Sequence, residues 1–489
     1  MLVEALITAA TDAPRQAAVS DGLVSLDYRQ LARLASVIRN LVSRETKNER
    51  VGLMLPASTA FPAALFGVLW AGRTAVPLNF LLSGDELARI VRDAGLDLVI
   101  TIRHFAELSA KLPLRSLFLE DLSLKRRMVF ATIRRLPPAP PIEPNATAVI
   151  LYTSGTTADP KGVELTFNNL YSNCVDTIYS LDMDPRQTFL NILPPFHVFG
   201  LTANVLIPIV LRAKVFAIPR FSPVAVVRAV EEERISVMLA IPSMYTAILK
   251  TKSTKPDLFR SVYLAVSGGE PLPDSVRAGY EERFGLTIRQ GYGMTETSPV
   301  ISACSVHSYR AGTVGRPIRN VRIRIVDTNG REVPTGEEGE ILVSGPGVMK
   351  GYYRKLEETR RVVSEEGWLA TGDIGRLDAD GFLSITGRAK DMLIIGGENV
   401  FPREIEAVLE SYPGVIQAAV IGVADDLRGE APVAFVIPQA GAELADGPLR
   451  NHAKHVLAGF KVPKRVIIRE DLPTGPTGKI LKRRLREFL

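Results

Sequence analysis

The chain has 489 residues, of which 46% are hydrophobic and 23% charged, and its formal net charge is +6 at pH 7. This composition excludes a disordered chain and predicts a folded protein of more than one domain, and the modest charge gives no indication of nucleic-acid binding. Its two cysteines, Cys174 and Cys304, are too few for a disulfide framework or a thiolate metal site, which agrees with a reducing compartment.

Apolar runs of strand length alternate with helical patterns as far as about Gly312. This alternation predicts two doubly wound α/β subdomains. The longest apolar runs, Ala60–Gly72 and Leu201–Leu211, fall short of the roughly 20 residues that cross a bilayer, and no basic secretory region begins the sequence. We therefore expect a cytoplasmic protein without a transmembrane segment. The predicted strands are Arg50–Leu55, Leu98–Ile102, Ala148–Tyr152, Val215–Ile218, Val237–Ala240 and Ser261–Val266.

Three further stretches of the sequence predict a connector and two smaller structural regions. The proline-rich segment from Leu136 to Asn145 cannot continue a helix or sheet, so we expect an extended surface connector that closes a first subregion. From Gly312, strands rich in Val, Ile and Arg predict a small antiparallel β-barrel, and the C-terminal residues predict a small α+β domain. The predicted strands here are Val321–Val326, Gly339–Val343, Phe382–Thr386, Gln417–Val423 and Ala431–Pro438, with a helix over Pro402–Tyr412.

The segment AVILYTSGTTADPKG, residues 148–162, leads from a predicted buried strand into a loop of small hydroxylated residues, glycine and one lysine. Hydroxyl and backbone N–H groups in such a loop can hold phosphate, and the lysine adds a cation. The segment lacks the Gly-Lys-Ser/Thr order of P-loop kinases and GTPases, which excludes that class. A plain Ser/Thr-rich hairpin is the alternative interpretation. The candidate phosphate-binding residues are Thr153, Ser154, Gly155, Thr156, Thr157 and Lys161.

Two basic clusters, at residues 125–135 and 479–486, concentrate the positive charge. Solvated helix faces and peripheral contact with a membrane surface are the two interpretations of such clusters. Lys482, within the second cluster, is expected to be solvated.

Four further segments follow the phosphate loop in a specific order. They are GYGMTETSP (291–299), TGDIGRLDADGFLSITGRAKD (371–391), GGENVFPREIE (396–406) and PTGPTGKI (473–480). Together with the loop they resemble, in order and spacing, the motifs of the adenylate-forming (AMP-binding) superfamily of acyl-CoA synthetases, luciferases and peptide-synthetase adenylation domains. VGLMLPAS (51–58) and VPLNFLLSGDEL (76–87) are similar to the branch with fatty acyl-CoA and acyl-acyl carrier protein synthetases.

The resemblance implies a reaction in two steps. A carboxylate attacks the α-phosphate of ATP and pyrophosphate leaves, after which a thiol attacks the acyl-adenylate, with Mg²⁺ bridging the phosphates in the first step. Glu296 matches the family's acidic residue near Mg²⁺, and Thr295 beside it is placed to donate to the α-phosphate. Lys479 matches the lysine that the family brings to the forming acyl-adenylate. These three are the expected catalytic residues, and Glu296 is the expected metal ligand.

The resemblance also implies a nucleotide site. Tyr292 would offer an aromatic face to adenine, with core packing as the alternative, and Gly293 follows it in the same motif. Asp373 matches the family's ribose-binding aspartate, and Arg388 would provide a second nucleotide contact. The segment expected on the other side of the base is Gly268, Gly269 and Glu270.

Lys390 matches the family's hinge position. The resemblance therefore implies an N-terminal domain of residues 1–389, which holds the nucleotide, Mg²⁺ and acyl sites, and a mobile C-terminal domain of residues 391–489. Rotation would bring Lys479 to the nucleotide in one pose, and the loop at residues 396–398 to a thiol tunnel in the other. A rigid linker is the alternative.

The acyl substrate is narrowed by the segment PPFHVFGL, residues 194–201. Amino-acid-activating relatives carry an aspartate there, so the resemblance disfavours an amino acid. Gly293 stands where acetate-activating relatives carry a tryptophan, which implies an open slot for a longer chain, with Phe199 in its apolar lining. His197 either gates this pocket or fills space.

The resemblance thus implies an AMP-forming fatty acyl-CoA synthetase, an ATP-dependent acid–thiol ligase for a medium- or long-chain fatty acid and coenzyme A. A synthetase that uses the phosphopantetheine thiol of an acyl carrier protein is the alternative for the acceptor. A non-catalytic acyl or nucleotide sensor is the alternative of another class, and the presence together of Glu296, Asp373, Arg388 and Lys479 argues against it.

Overall fold

The computed structural model describes residues 1–122, 135–153, 160–251, 254–396, 398–425, 428–439, 441–474 and 480–489, without the side chain of Asn399. These residues form four sheets, two of them large and mainly parallel. In this part of the chain, no helix combines the length and the apolar character that crossing a membrane requires.

Residues 1–180 contribute elements to both large sheets. The strands are β1 (Ala17–Ser20), β2 (Ser25–Asp27), β3 (Arg50–Met54), β4 (Thr74–Pro77), β5 (Leu98–Thr101), β6 (Arg115–Phe118), β7 (Thr147–Thr153) and β8 (Lys161–Thr166). The helices are α1 (Leu2–Asp12), α2 (Tyr28–Glu45), α3 (Ala60–Trp70), α4 (Gly84–Ala94), α5 (Ala106–Ser109) and α6 (Phe167–Ser180), with 3₁₀ turns at Arg103–Phe105 and Leu119–Leu122.

Residues 181–317 supply most of the second large sheet. The strands are β9 (Thr188–Asn191), β10 (Lys214–Ala217), β11 (Val237–Ala240), β12 (Leu264–Ser267), β13 (Ile288–Gly293), β14 (Val300–Ala303) and β15 (Arg316–Pro317). The helices are α7 (Val198–Leu201), α8 (Ile207–Leu211), α9 (Pro223–Glu233), α10 (Pro242–Leu249) and α11 (Asp274–Phe284), with a π-helical turn at Thr202–Leu206 and a 3₁₀ turn at Thr295–Thr297.

The remaining residues form two smaller sheets and one edge strand of the first large sheet. The strands are β16 (Arg322–Val326), β17 (Gly339–Ser344), β18 (Gly351–Tyr352), β19 (Leu369–Leu377), β20 (Leu383–Arg388), β21 (Leu393–Ile395), β22 (Glu398–Val400), β23 (Val415–Asp425), β24 (Gly429–Pro438) and β25 (Arg465–Ile468). The helices are α12 (Leu356–Val362), α13 (Pro402–Glu410), α14 (Asp446–Val456) and α15 (Lys482–Leu485), with 3₁₀ turns at Ala389–Asp391 and Arg486–Phe488.

The two large sheets confirm the predicted α/β class. The first has the order β18-β8-β7-β4-β3-β5-β6, with parallel pairing from β7 to β6, and the second has the order β15-β14-β13-β12-β11-β9-β10-β1-β2, with parallel pairing from β13 to β1. Helices with apolar faces cover them, and α3 is buried along almost its whole length. Parallel strands open a ligand crevice at their carboxyl ends, so the ends of β9, β11, β12 and β13 define where a site is expected.

Three details differ from the sequence-based predictions. The first subregion is not separate, because β1 pairs with β10 and so joins the second large sheet. Strand β12 begins at Leu264 instead of Ser261. The connector at 136–145 has neither helix nor strand, as predicted, but the Trp70 indole N–H donates to the Pro138 carbonyl over 3.0 Å, so the connector packs on the core.

The region predicted as a small barrel is an antiparallel sheet in the order β16-β17-β19-β20, packed on a small core that also includes Ile301 of β14. The C-terminal residues form an antiparallel sheet, β22-β21-β24-β23, with β25 parallel to β24. The predicted large α/β part and small α+β part are therefore both present. They touch where Phe401 packs on Gly387, since a Cβ built on that glycine would lie 2.5 Å from Cδ1 of the phenylalanine ring.

Candidate active site

Asp373, Arg388 and Tyr292 lie together although they are distant in sequence. Asp373 on β19 is the cross-strand partner of Arg388 on β20, and the arginine Nε lies 3.0 Å from Oδ1 of the aspartate. The hydroxyl of Tyr292, on β13, donates to Oδ2 of the same aspartate over 2.6 Å. Asp373 is buried, so each carboxylate oxygen has a donor that offsets the cost of burying the charge.

Tyr292 is a hydrogen-bond donor that does not ionise in the ordinary pH range. Burial raises the pKa of Tyr292, and the neighbouring Asp373 carboxylate raises it further. The ring packs partly against the small core under β16, β17 and β20. The structure therefore gives Tyr292 a packing role, and its face toward adenine remains a prediction.

A second group of side chains surrounds Glu296. The hydroxyl of Tyr352 donates to Oε1 of Glu296 over 2.9 Å, and the Nζ of Lys161 lies 4.0 Å from the centroid of the same tyrosine ring. Lys161 also forms an ion pair of 2.8 Å with Glu358. Burial raises the pKa of Tyr352, and Glu296 raises it further, which keeps the hydroxyl protonated.

Tyr352 and Glu358 are not among the residues that the sequence motifs indicate. They reach the site because β18 pairs with β8, so that Tyr352 opposes Val163, and because α12 begins four residues later. Neither the spacing of apolar residues nor a short motif signals this pairing across nearly two hundred residues of sequence.

The expected phosphate loop connects an antiparallel hairpin. Thr153 at the end of β7 opposes Lys161 at the start of β8. Thus the hairpin interpretation is right for the topology, and phosphate binding stays a prediction. Among the expected loop residues, Ser154, Gly155, Thr156 and Thr157 lie outside the described residues.

The expected adenine segment and the expected acyl pocket meet at the carboxyl end of β12. A Cβ built on Gly268 would lie 3.2 Å from two ring carbons of Phe199, so the phenylalanine ring covers this glycine. Gly269 has a φ of +86°, which turns the chain toward Glu270 in a conformation that suits glycine. Gly268 thus lies between the expected adenine segment and the expected acyl pocket, and the Phe199 ring leaves little space for a side chain there.

Aromatic rings continue from the expected acyl pocket. His197 is half-buried, and its ring centroid lies 4.9 Å from that of Phe196, which lies 4.9 Å from that of Phe80. Phe80 in turn stacks on Phe105 at 4.6 Å. The imidazole of His197 is the end of this row of aromatic rings, and whether His197 gates a pocket stays a prediction.

Gly293 is constrained by the backbone. A Cβ built on it would lie 2.1 Å from the carbonyl oxygen of Pro299, so the turn between β13 and β14 excludes any side chain at this position. The space beside its Cα holds backbone of the turn, and an open acyl slot at Gly293 stays a prediction.

The structure describes the expected hinge residue and the expected thiol-tunnel loop in part, but not the expected catalytic lysine. Lys390 lies exposed in the 3₁₀ turn between β20 and β21, and Gly396 and Glu398 are exposed at the end of the β21–β22 hairpin. Lys479 lies outside the described residues. The expectation that Lys482 is solvated is wrong: its Nζ lies 2.6 Å from Oε1 of Glu406, and that carboxylate is buried.

Metal binding would depend on few protein ligands. The described residues contain no cluster of three or more His, Cys, Asp or Glu side chains that could hold a metal ion. Mg²⁺ needs only one or two carboxylates when substrate phosphates and water complete its coordination. A single carboxylate oriented by Tyr352, as Glu296 is, fits that ion.

Comparisons with known proteins cover the whole chain. The profile of the family described as AMP-binding enzyme matches residues 6–353, and the profile of the AMP-binding enzyme C-terminal domain matches residues 404–479. A feruloyl-CoA synthase of Amycolatopsis sp is 37% identical over 480 residues, which are 97% of this chain and 96% of that protein. A long-chain-fatty-acid–CoA ligase of Yersinia pestis is 34% identical over 90% of this chain and 85% of its own length. The crystal structure of ATP-bound MatB from Rhodopseudomonas palustris is similar to this chain with a TM-score of 0.91 and 28% sequence identity. The match covers 100% of this chain and 99% of that one.

Proposed function

Because the chain belongs to the AMP-binding enzyme family, we propose that it is an ATP-dependent acid–thiol ligase. It joins a carboxylic acid to the α-phosphate of ATP with release of pyrophosphate, and then transfers the acyl group to the thiol of coenzyme A with release of AMP. The observation that carries this proposal is the convergence of Tyr292 and Arg388 on the buried Asp373.

Asp373 is the proposed acceptor for the ribose hydroxyls. Its two oxygens already accept from Tyr292 and Arg388, but each carboxylate oxygen has a second lone-pair site. A ribose hydroxyl can therefore bind beside either donor, and the two donors hold the carboxylate in a fixed orientation. Gly268, Gly269 and Glu270 are proposed to face the base from the end of β12.

Glu296 is the proposed ligand of Mg²⁺. When bound, the ion would neutralise charge that develops on the phosphates as pyrophosphate leaves. Tyr352 orients the Glu296 carboxylate through its hydroxyl. Thr295 is proposed to donate to the α-phosphate, and Lys161, with the loop at residues 153–157, to hold the other phosphates.

The second domain is proposed to act in both steps. Lys479 is the proposed cation at the reacting phosphate, and Lys390 the proposed hinge. The turn with Gly396 and Glu398, which is exposed, is proposed to move toward the site in the thioester-forming step. A cytoplasmic location is part of the proposal, and the two buried free thiols, Cys174 and Cys304, support it.

The proposed acyl substrate is a medium- or long-chain fatty acid. Support comes from the row of aromatic rings that includes Phe196, from the Phe199 ring over Gly268, and from the similarity to long-chain-fatty-acid–CoA ligases. Coenzyme A is the proposed acceptor, and an acyl carrier protein is the alternative.

A phenylpropenoate of the ferulate type is the second candidate, favoured by two observations. The similarity to feruloyl-CoA synthase extends over 96% of that protein. In addition, buried polar groups of Asn191, Asn204 and Ser267 find no hydrogen-bond partner within the described part of the chain. Asn191 and Ser267 end β9 and β12, the second of which leads into Gly268. We propose that these groups face the acyl site, where unpaired polar atoms disfavour an alkyl chain and favour a substrate that carries hydroxyl or methoxy oxygens.

The test is exchange of labelled pyrophosphate into ATP without any thiol, across saturated acids from acetate to long chains and across hydroxylated phenylpropenoates. Exchange that peaks at medium or long chains supports the fatty acid, and a peak at the phenylpropenoates supports the second candidate. No exchange with any acid would overturn the ligase proposal.

Arg388→Gln should raise the KM for ATP about tenfold, the cost of one charged hydrogen bond. Arg376→Gln, on the same strand pair and 52% exposed, should leave it unchanged.

A further inference from the structure

Lys161, which ends the expected phosphate loop, is already neutralised by a carboxylate from a distant segment. Its Nζ lies 2.8 Å from Oε2 of Glu358, and the lysine and glutamate side chains are 30% and 35% exposed. The same Nζ lies over the ring of Tyr352. An anion that binds Lys161 must therefore compete with Glu358 for it.

The backbone places Glu358 at this position. Strand β18 pairs with β8 two residues beyond Lys161, and the Tyr352 N–H donates to Oγ1 of Thr359 over 2.8 Å. This bond ties the first turn of α12 to the strand. Glu358 therefore reaches Lys161 from a fixed helix and not from a loop.

Glu358 also has a second cationic partner. The Nζ of Lys355 lies 3.4 Å from Oε1, whereas Lys161 contacts Oε2. The hydrogen bond from Lys161 lowers the pKa of Glu358, and Lys355 lowers it further, although burial opposes both. The carboxylate is thus ionised at neutral pH, and it keeps a counter-charge if Lys161 leaves.

We propose that Glu358 is a positioning residue that holds Lys161 in the nucleotide-free protein and releases it to the phosphates of ATP, with Lys355 as the replacement partner. This inference rests on the proposed function, which supplies ATP as the source of the phosphates. Glu358 would then reduce the affinity for ATP and take no part in the chemical steps.

The first experiment compares Glu358→Gln with Glu357→Gln by titration calorimetry with ATP and Mg²⁺, without an acid substrate. Glu357 is 78% exposed and pairs with Arg360, so its variant changes the net charge equally without touching Lys161. Glu358→Gln should bind ATP about threefold more tightly than the control, because a partly exposed ion pair of ordinary strength no longer competes. In steady-state kinetics the KM for ATP should fall and kcat should not change.

The second experiment removes the replacement partner. Lys355→Met should weaken ATP binding about twofold to threefold, since Lys161 is then the one cation, among the described residues, that pairs with Glu358 and is held more firmly. This loss should disappear in the Glu358→Gln background. A merely structural role for the pair would weaken ATP binding in both single variants, and a direct contact of Lys355 with ATP would persist in the double variant, so either result overturns the proposal.

The outcomes separate this inference from the proposed function. If the unmodified protein binds no ATP, both fall. If it binds ATP and Glu358→Gln matches Glu357→Gln, only the role of Glu358 is overturned. Far-ultraviolet circular dichroism and thermal unfolding of each variant confirm that the compared proteins are folded.

Discussion

Tyr292→Phe removes one hydrogen-bond donor from a buried carboxylate and leaves the aromatic ring in place. The lost bond runs over 2.6 Å to Oδ2 of Asp373, while Arg388 keeps its contact with Oδ1 over 3.0 Å. Hydrogen bonds to charged groups contribute about 1.5–3 kcal/mol. Because Asp373 is buried, we expect the substitution to lower the free energy of unfolding by about 2 kcal/mol.

Urea unfolding followed by tryptophan fluorescence measures this change, because Trp368 directly precedes β19, the strand that carries Asp373. Tyr179→Phe is the matched control, since Tyr179 is 68% exposed. Its effect should stay within about 0.5 kcal/mol. If the two variants unfold at the same urea concentration, the hydrogen bond to Asp373 does not stabilise the fold as argued.

The same variant has a signature in its pH dependence. Burial, followed by the Asp373 carboxylate, raises the pKa of Tyr292 in the folded protein. An unfolded tyrosine ionises near pH 10, so its contribution to stability is fully present below about pH 10 and is lost as the pH rises through the folded pKa. The difference in free energy of unfolding between the unmodified protein and Tyr292→Phe should therefore stay at its neutral-pH value from about pH 6 to about pH 9. It should shrink above about pH 10. A difference that grows above that pH would contradict the sign of the shift.

Two other perturbations act on different parts of the site. Tyr352→Phe keeps the ring but removes the donor to Glu296, so the Mg²⁺ concentration that half-saturates pyrophosphate exchange should rise about tenfold, the scale for a partner that orients a metal ligand. An unchanged Mg²⁺ requirement would argue that Glu296 does not bind the ion. Gly293→Ala should destabilise the protein by about 3 kcal/mol or more, because its Cβ would overlap a backbone carbonyl, whereas Gly459→Ala meets nothing within 4 Å and should be nearly neutral. Equal thermal stability of the two alanine variants would refute that steric reasoning.

Local sequence patterns predict most of the strands. The observed β3, β11 and β17 fall within a residue or so of the predicted bounds, because short apolar runs between turn residues are typical of buried strands. The pairing of strands is harder to predict from the sequence. The segment at residues 17–27 crosses to the second large sheet, and no local pattern shows which sheet a strand joins.

The site shows the same division. Asp373 and Arg388 belong to one motif and become cross-strand partners in one hairpin, so their proximity follows from local structure. Tyr352 and Glu358 reach Glu296 and Lys161 only through the β8–β18 pairing, which a motif cannot indicate. The solvated state expected for a charge run likewise failed at Lys482, because a buried carboxylate on α13 lies opposite it.

The central claim is that this chain activates carboxylic acids as acyl-adenylates. The most direct measurement supplies an acid labelled with ¹⁸O in its carboxylate, together with ATP, Mg²⁺ and coenzyme A, and determines the label in the products by mass spectrometry. We predict one labelled oxygen in AMP, because the carboxylate oxygen that attacks the α-phosphate stays with AMP when the thiol takes the acyl group. Label in inorganic phosphate with formation of ADP, or thioester formation that leaves AMP unlabelled, would contradict it.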